Sequence, residues 1–130
     1  MAKRVLVVDD EMDVRTFITT LLDSNGYKAV VAENGEQGWQ KFQEKKPDMV
    51  TLDVMMPKES GIKMYRNIKT NPEFAGVPVL IISGLARKTF LHSQKVLDQF
   101  KNQSVPEPEG YIEKPPEPEE LLAEIKRIIG

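Results

Sequence analysis

The chain has 130 residues, enough for one domain with a hydrophobic core of its own. Apolar residues make up 40% and charged residues 29%, and the formal net charge of −2 lacks the basic surplus that a nucleic-acid binder needs. There is no cysteine, which excludes disulfide and thiolate chemistry, and no apolar run approaches the length of a membrane-spanning helix.

Met1-Ala2-Lys3-Arg4 leads straight into Val5-Leu6-Val7-Val8 and two aspartates, too short and too acidic for a signal peptide. The continuous apolarity of Val5–Val8 suits a strand covered on both faces, as in a parallel sheet. Val14, Phe17, Ile18, Leu21 and Leu22 then recur at helical spacing, and Asn25-Gly26 stops that helix. Lys28–Ala32 reads as a second strand. Asn34, with Gln37 three residues on, opens a second helix carrying Trp39 and Phe42, which ends before Pro47. Met49, Val50 and Leu52 make a third strand that runs into Asp53, and the chain breaks at Pro57 and Gly61. A third helix from about Gly61 to Asn71 would bury Ile62, Tyr65 and Ile68, with Pro72 forbidding its continuation. Val77–Ile82 is a fourth strand interrupted only by Pro78, followed by a less regular helix from about Thr89 to Phe100. Lys101–Gly110, rich in Pro and Glu, is expected to be an exposed connection. Tyr111-Ile112-Glu113 is a short fifth strand. The last helix starts with Pro118 and acids in its first turn, and its apolar face is Leu121, Leu122, Ile125, Ile128 and Ile129.

Strand and helix alternate five times, which argues for one parallel sheet between two helical layers in a single domain over 1–130. Right-handed crossovers favour a flavodoxin-like (βα)5 three-layer sandwich with strand order 2-1-3-4-5. That order sets strands one and three side by side, so Asp9 and Asp10 meet Asp53 at one rim. Three close carboxylates repel one another unless a cation compensates, and an all-oxygen donor set suits Mg2+. Ser83 closes the fourth strand ahead of Gly84, and Lys114 closes the fifth. A hydroxyl, an ammonium and a hard cation converging on one carboxylate is the arrangement of phosphoryl transfer, with Asp53 as the nucleophile.

Val7-Val8-Asp9-Asp10-Glu11 with Arg15, Leu52-Asp53-Val54-Met55-Met56-Pro57 with Gly61, Ser83-Gly84, and Tyr111-Ile112-Glu113-Lys114-Pro115 together resemble the response-regulator receiver domains of bacterial two-component systems, of the stand-alone, chemotaxis-regulator-like kind. The resemblance spans essentially the whole chain. It implies that Asp53 accepts phosphate from a sensor histidine kinase or phosphotransfer protein. It further implies that Asp10 and Asp53 bind Mg2+ directly with the Met55 carbonyl, while Asp9 acts largely through water. Lys114 would pair with the phosphoryl group and Ser83 would hydrogen-bond it. Tyr111 would be the aromatic that changes rotamer, and Pro115 would follow a cis bond that orients Lys114. Output would then pass through the last two helices and last strand to an unidentified protein target or a phosphorylation-dependent dimer. The setting would be cytoplasmic, with neither membrane nor direct nucleic-acid binding, and no external substrate would be turned over.

The chain departs from the family in three places. The span from Ser83 to Lys114 is longer than usual by roughly two helical turns of ~3.6 residues each. Pro116 stands where an aromatic is common, and Glu117 holds the capping place usually taken by Asp. Met55 and Leu85, two residues beyond Asp53 and Ser83, sit where they would screen attacking water and slow the loss of phosphate. Three other readings stay open: a receiver portion of a longer regulator, a receiver-like module that is never phosphorylated, and an Asp-nucleophile phosphatase. The last would need a second Asp at position 55, which is Met.

Overall fold

A computed structural model of the chain describes residues 2–130. Five parallel strands, β1 (Arg4–Val8), β2 (Lys28–Ala32), β3 (Met49–Leu52), β4 (Val79–Ser83) and β5 (Gly110–Glu113), form one sheet in the order β2-β1-β3-β4-β5. The helices are α1 (Met12–Ser24), α2 (Gly35–Glu44), α3 (Ser60–Lys69), α4 (Arg87–Lys101) and α5 (Pro118–Ile129).

The apolar runs of the strands are split residue by residue between two cores. Val5 and Val7 face α1 and α5, where Ile18, Leu22, Leu121 and Ile125 are buried. Leu6 and Val8 face the opposite layer with Phe42, Met64, Ile68 and Phe90. Such two-sided burial is why these strands carry no polar alternation. Beginning at the expected cap, α2 has an Asn34 side chain that accepts from the Gln37 amide at 2.8 Å, while Gln37 reaches back to the Glu33 amide at 2.9 Å. At α5 the Glu117 cap makes no side-chain bond.

Several local expectations are corrected. Strand β4 begins at Val79 because Pro78 has no N–H to pair, although its carbonyl still accepts from the Val50 amide at 3.0 Å. In α3, Tyr65 and Ile68 are fully buried as expected, but Ile62 is only half-buried and Met64 fills the core instead. Helix α4 is a regular 15 residues rather than an irregular one, and takes in Lys101. The segment after it is not simply exposed: Val105 packs against the α3–α4 core, and Glu109 accepts from the enclosed ammonium of Lys69 at 2.9 Å. Trp39, on the same helix as Phe42, is half-buried and stacked on it, in keeping with their helical spacing.

In the middle of β3 the Thr51 hydroxyl is buried and has no hydrogen-bond partner among the described residues. An unpaired buried hydroxyl costs about 1 kcal/mol or more, and valine matches its shape with a higher strand preference. Thr51→Val is therefore expected to stabilise the fold by about 1 kcal/mol, read as a higher midpoint in urea at unchanged slope.

Candidate functional site

The backbone brings the strand ends together before any side chain is considered. The Asp53 amide donates to the Val8 carbonyl at 3.0 Å, the Asp9 amide to Ala32 at 3.2 Å, and the Lys114 amide to Ser83 at 2.8 Å. The residues just past β1, β3, β4 and β5 thus line one rim, the carboxyl end of a parallel sheet, where such folds hold ligands.

Beyond Asp53 the chain turns sharply through Pro57, and Lys58 and Glu59 adopt left-handed φ values of 59° and 54°. Two successive non-glycine residues in that region are costly, and they let α3 start with Gly61 pressed beneath Asp53. A Cβ on Gly61 would collide with the Asp53 carbonyl oxygen and with Val54 Cα. Gly61 is thus required by a close approach that holds the Asp53 main chain in place.

Within the rim, one carboxylate oxygen each from Asp9, Asp10, Glu11 and Asp53 lies within 4.8 Å of all the others. Asp9 and Asp53 are buried, at 1% and 2% exposure, whereas Asp10 and Glu11 are open to solvent. Lys114 reaches into the cluster: its Nζ is 3.0 Å from Asp9 Oδ2, 2.9 Å from Glu11 Oε1 and 3.0 Å from Asp53 Oδ2. The remaining valences are met locally. Asp9 Oδ1 accepts from the Glu11 amide at 2.9 Å, and Asp53 Oδ1 from the Met55 amide at 2.8 Å. Arg15 donates to the Asp9 carbonyl at 2.7 Å.

Burial holds the Asp9 carboxyl above its ordinary pKa, even against its bonds from Glu11 and Lys114. Burial alone would lower the pKa of Lys114, but its bonds to Glu11, Asp9 and Asp53 outweigh that and raise it. A single ammonium cannot neutralise four carboxylates. The donors are all oxygen and carry a net negative charge within reach of one small ion, so the residues present fit a hard divalent cation such as Mg2+.

Ser83 is fully buried at the end of β4, and its Oγ accepts from the Leu85 amide at 3.2 Å. The Tyr111 hydroxyl donates to the carbonyl of the same Leu85 at 2.6 Å. Ser83 and Tyr111 therefore hold one peptide segment. Burial, with the charges of Glu113 and Asp53, pushes the Tyr111 phenol up to about 12, so it stays a donor throughout the physiological range. The Lys114–Pro115 bond is cis. Met55 is 57% exposed and lies across Gly84, where an added Cβ would meet its sulfur at 3.7 Å. Leu85 is half-buried. Glu11, to which the sequence alone assigns no role of its own, is a direct partner of Lys114. Its place directly after the Asp9-Asp10 pair was the available signal.

The family described as "Response regulator receiver domain" matches residues 5–126. The phosphate regulon transcriptional regulatory protein PhoB of Pseudomonas aeruginosa is 30% identical over 129 residues, which cover 99% of this chain and 52% of that protein. The chain spans about half the length of the curated relatives it matches. Among solved structures, the chemotaxis response regulator CheY4 of Vibrio cholerae superposes with a TM-score of 0.82 at 23% identity, covering 98% of this chain and 99% of that one. A response regulator receiver domain protein from Clostridium thermocellum superposes with a TM-score of 0.75 at 27% identity, covering 99% and 94%.

Proposed function

Because the chain belongs to the response regulator receiver family, the phosphoacceptor component of two-component signalling, we propose that Asp53 takes a phosphoryl group from the phosphohistidine of a sensor kinase or phosphotransfer protein. An Asp53 carboxylate oxygen forms the new bond to phosphorus while the bond to the donor's imidazole nitrogen breaks, and its electron pair leaves with the imidazole. The observation that carries this reading is the buried Asp53 carboxylate 3.0 Å from the Lys114 ammonium, among three further acids.

Asp10 and Asp53, with the Met55 carbonyl, would hold Mg2+ directly, and Asp9 would act through water. When bound, the ion neutralises charge on the phosphoryl oxygens as the two anions approach. Lys114 is already within reach of Asp53 and turns its ammonium to the phosphoryl oxygens. The Ser83 hydroxyl keeps the Leu85 amide as its donor and offers its own proton to the same group. Leu85 is also the acceptor of Tyr111, so a shift of Ser83 alters the hold on the tyrosine. The phosphoryl group thereby favours one of two arrangements of the α4–β5–α5 face, a population shift that a protein partner or a second copy reads. No external substrate is turned over in this scheme.

Incubation with Mg2+ and acetyl phosphate, followed by intact mass measurement, tests the proposal. A single phosphoryl adduct is expected on the wild type and none on Asp53→Asn. Lasting absence of an adduct on the wild type would leave an inert binding module, and sustained hydrolysis of unrelated phosphoesters would point to an enzyme. A second reading, favoured by relatives of about twice the matched length, makes this chain the receiver portion of a longer regulator. The chemistry at Asp53 is the same in both.

A further inference from the structure

The connection between α4 and β5 plays no part in the chemistry at Asp53, yet it is fastened along its length. The Gln103 amide donates to the Asp98 carbonyl at 3.0 Å. Val105 packs against the α3–α4 core, the Tyr65 hydroxyl donates to the Pro106 carbonyl, and Glu107 pairs with Arg87 at 3.4 Å. Residues 104–108 thereby border a cleft of about 420 Å3 whose other wall includes Tyr65, Phe90, Leu91 and Gln94.

That wall leads back to the rim. The Tyr65 and Phe90 rings meet edge-on with centroids 5.5 Å apart, and Phe90 lies 5.7 Å from Tyr111. Tyr111 is bonded to the Leu85 carbonyl, and the Leu85 amide to Ser83. Every step from Pro106 to Ser83 is a direct contact between packed groups.

We propose that residues 104–108 are a strap that is docked on Tyr65 and Phe90 while Asp53 is unmodified and released when Asp53 is phosphorylated, opening the α4 cleft. The inference rests on the phosphoacceptor reading. Phe90 is shared: it is packed by Tyr111 on one side and by Tyr65, which anchors the strap, on the other. A rearrangement of Tyr111 that moves Phe90 withdraws support from the ring whose hydroxyl holds Pro106. By linkage, loosening the strap must favour the phosphorylated form to the same degree.

Backbone amide order parameters of Val105 and Glu107 in 15N-labelled full chain read the strap directly. They are expected near the rigid value of about 0.85 in the unmodified protein and below about 0.6 in excess acetyl phosphate and Mg2+. Asp53→Asn treated identically should stay rigid. Tyr65→Phe, which keeps the ring and deletes the anchor, should mobilise the strap without acetyl phosphate. It should also tighten the binding of beryllofluoride, a reversible phosphoryl analogue added with Mg2+, about fivefold, the equivalent of one net hydrogen bond. Val105→Ser, altering only the connection, should act in the same direction.

An adduct in the mass spectrum with unchanged order parameters would overturn the proposal. So would variants that free the strap yet leave the beryllofluoride affinity unmoved, since a merely structural loop behaves that way. Absence of the adduct itself would sink the phosphoacceptor reading, and the coupling with it. That failure is distinguished by mass alone.

Discussion

Lys114→Ala is expected to accept a phosphoryl group and fail to transmit it. Asp53 keeps the oxygen that attacks phosphorus, so the intact mass should still show the adduct. The ammonium that would follow the phosphoryl group is gone, so Tyr111 ring resonances that shift on phosphorylation of the wild type should stay in place. The variant should also lose about 2 kcal/mol of stability without divalent cations, because Asp9 and Asp53, both buried, then face each other without the ammonium between them. Added Mg2+ should accordingly raise the thermal midpoint more in the variant than in the wild type. The pH dependence has a definite sign. Lys114 has a folded pKa above its ordinary 10.5, so its contribution is fully present below that value and is lost as pH rises through the folded one. As pH rises from neutrality the gap between wild type and variant should hold to about pH 9 and narrow only beyond it. A gap that already closes as pH rises from about 7 to about 9 would show that Lys114 is not the counter-charge.

Glu109→Ala should be the most damaging single change to the fold outside the apolar core. The Lys69 side chain is 0% exposed, and its ammonium donates to the Ala75 and Val77 carbonyls at 3.2 and 3.1 Å and to both Glu109 oxygens at 2.9 and 3.0 Å. Glu109 also accepts from the Val79 amide at 2.8 Å, and its own carbonyl takes a bond from Arg127 at 2.8 Å. Deleting the carboxylate strands an enclosed cation, at a cost of about 3 kcal/mol, or a fall in midpoint of roughly 10 °C. Lys69→Met should cost less, because Glu109 is 38% exposed and can be hydrated when alone. The double variant should therefore be more stable than Glu109→Ala. If Glu109→Ala matches an ordinary surface substitution, Lys69 is not dependent on it.

The sheet order and the meeting of the carboxylates were legible in the sequence for a simple reason: both follow from local periodicity plus one rule of topology. The Val5–Val8 run, the helical spacing of Val14 to Leu22 and the acids directly after the strands are short-range signals. What escaped notice is long-range. Lys69 and Glu109 are 40 residues apart, and Tyr65 and Pro106 are 41, and no periodicity in sequence announces such a pair. The Pro-Glu composition of 105–109 correctly suggested a connection without secondary structure, but composition cannot reveal that a loop is pinned by an enclosed lysine on another helix. Tyr65 and Ile68 fit a helical stripe through Ile62 as well as one through Gly61 and Met64, and the close approach of Gly61 to Asp53, which no periodicity announces, selects the second and leaves Ile62 half-buried.

Ser83 and Tyr111 both grip Leu85 through main-chain atoms, and its half-buried side chain makes neither bond. A chain without cysteine offers a clean background for a single thiol at that position. A fluorophore attached there would ride on the moving peptide itself and report occupancy of Asp53 as a change in brightness, with neither gripping residue altered.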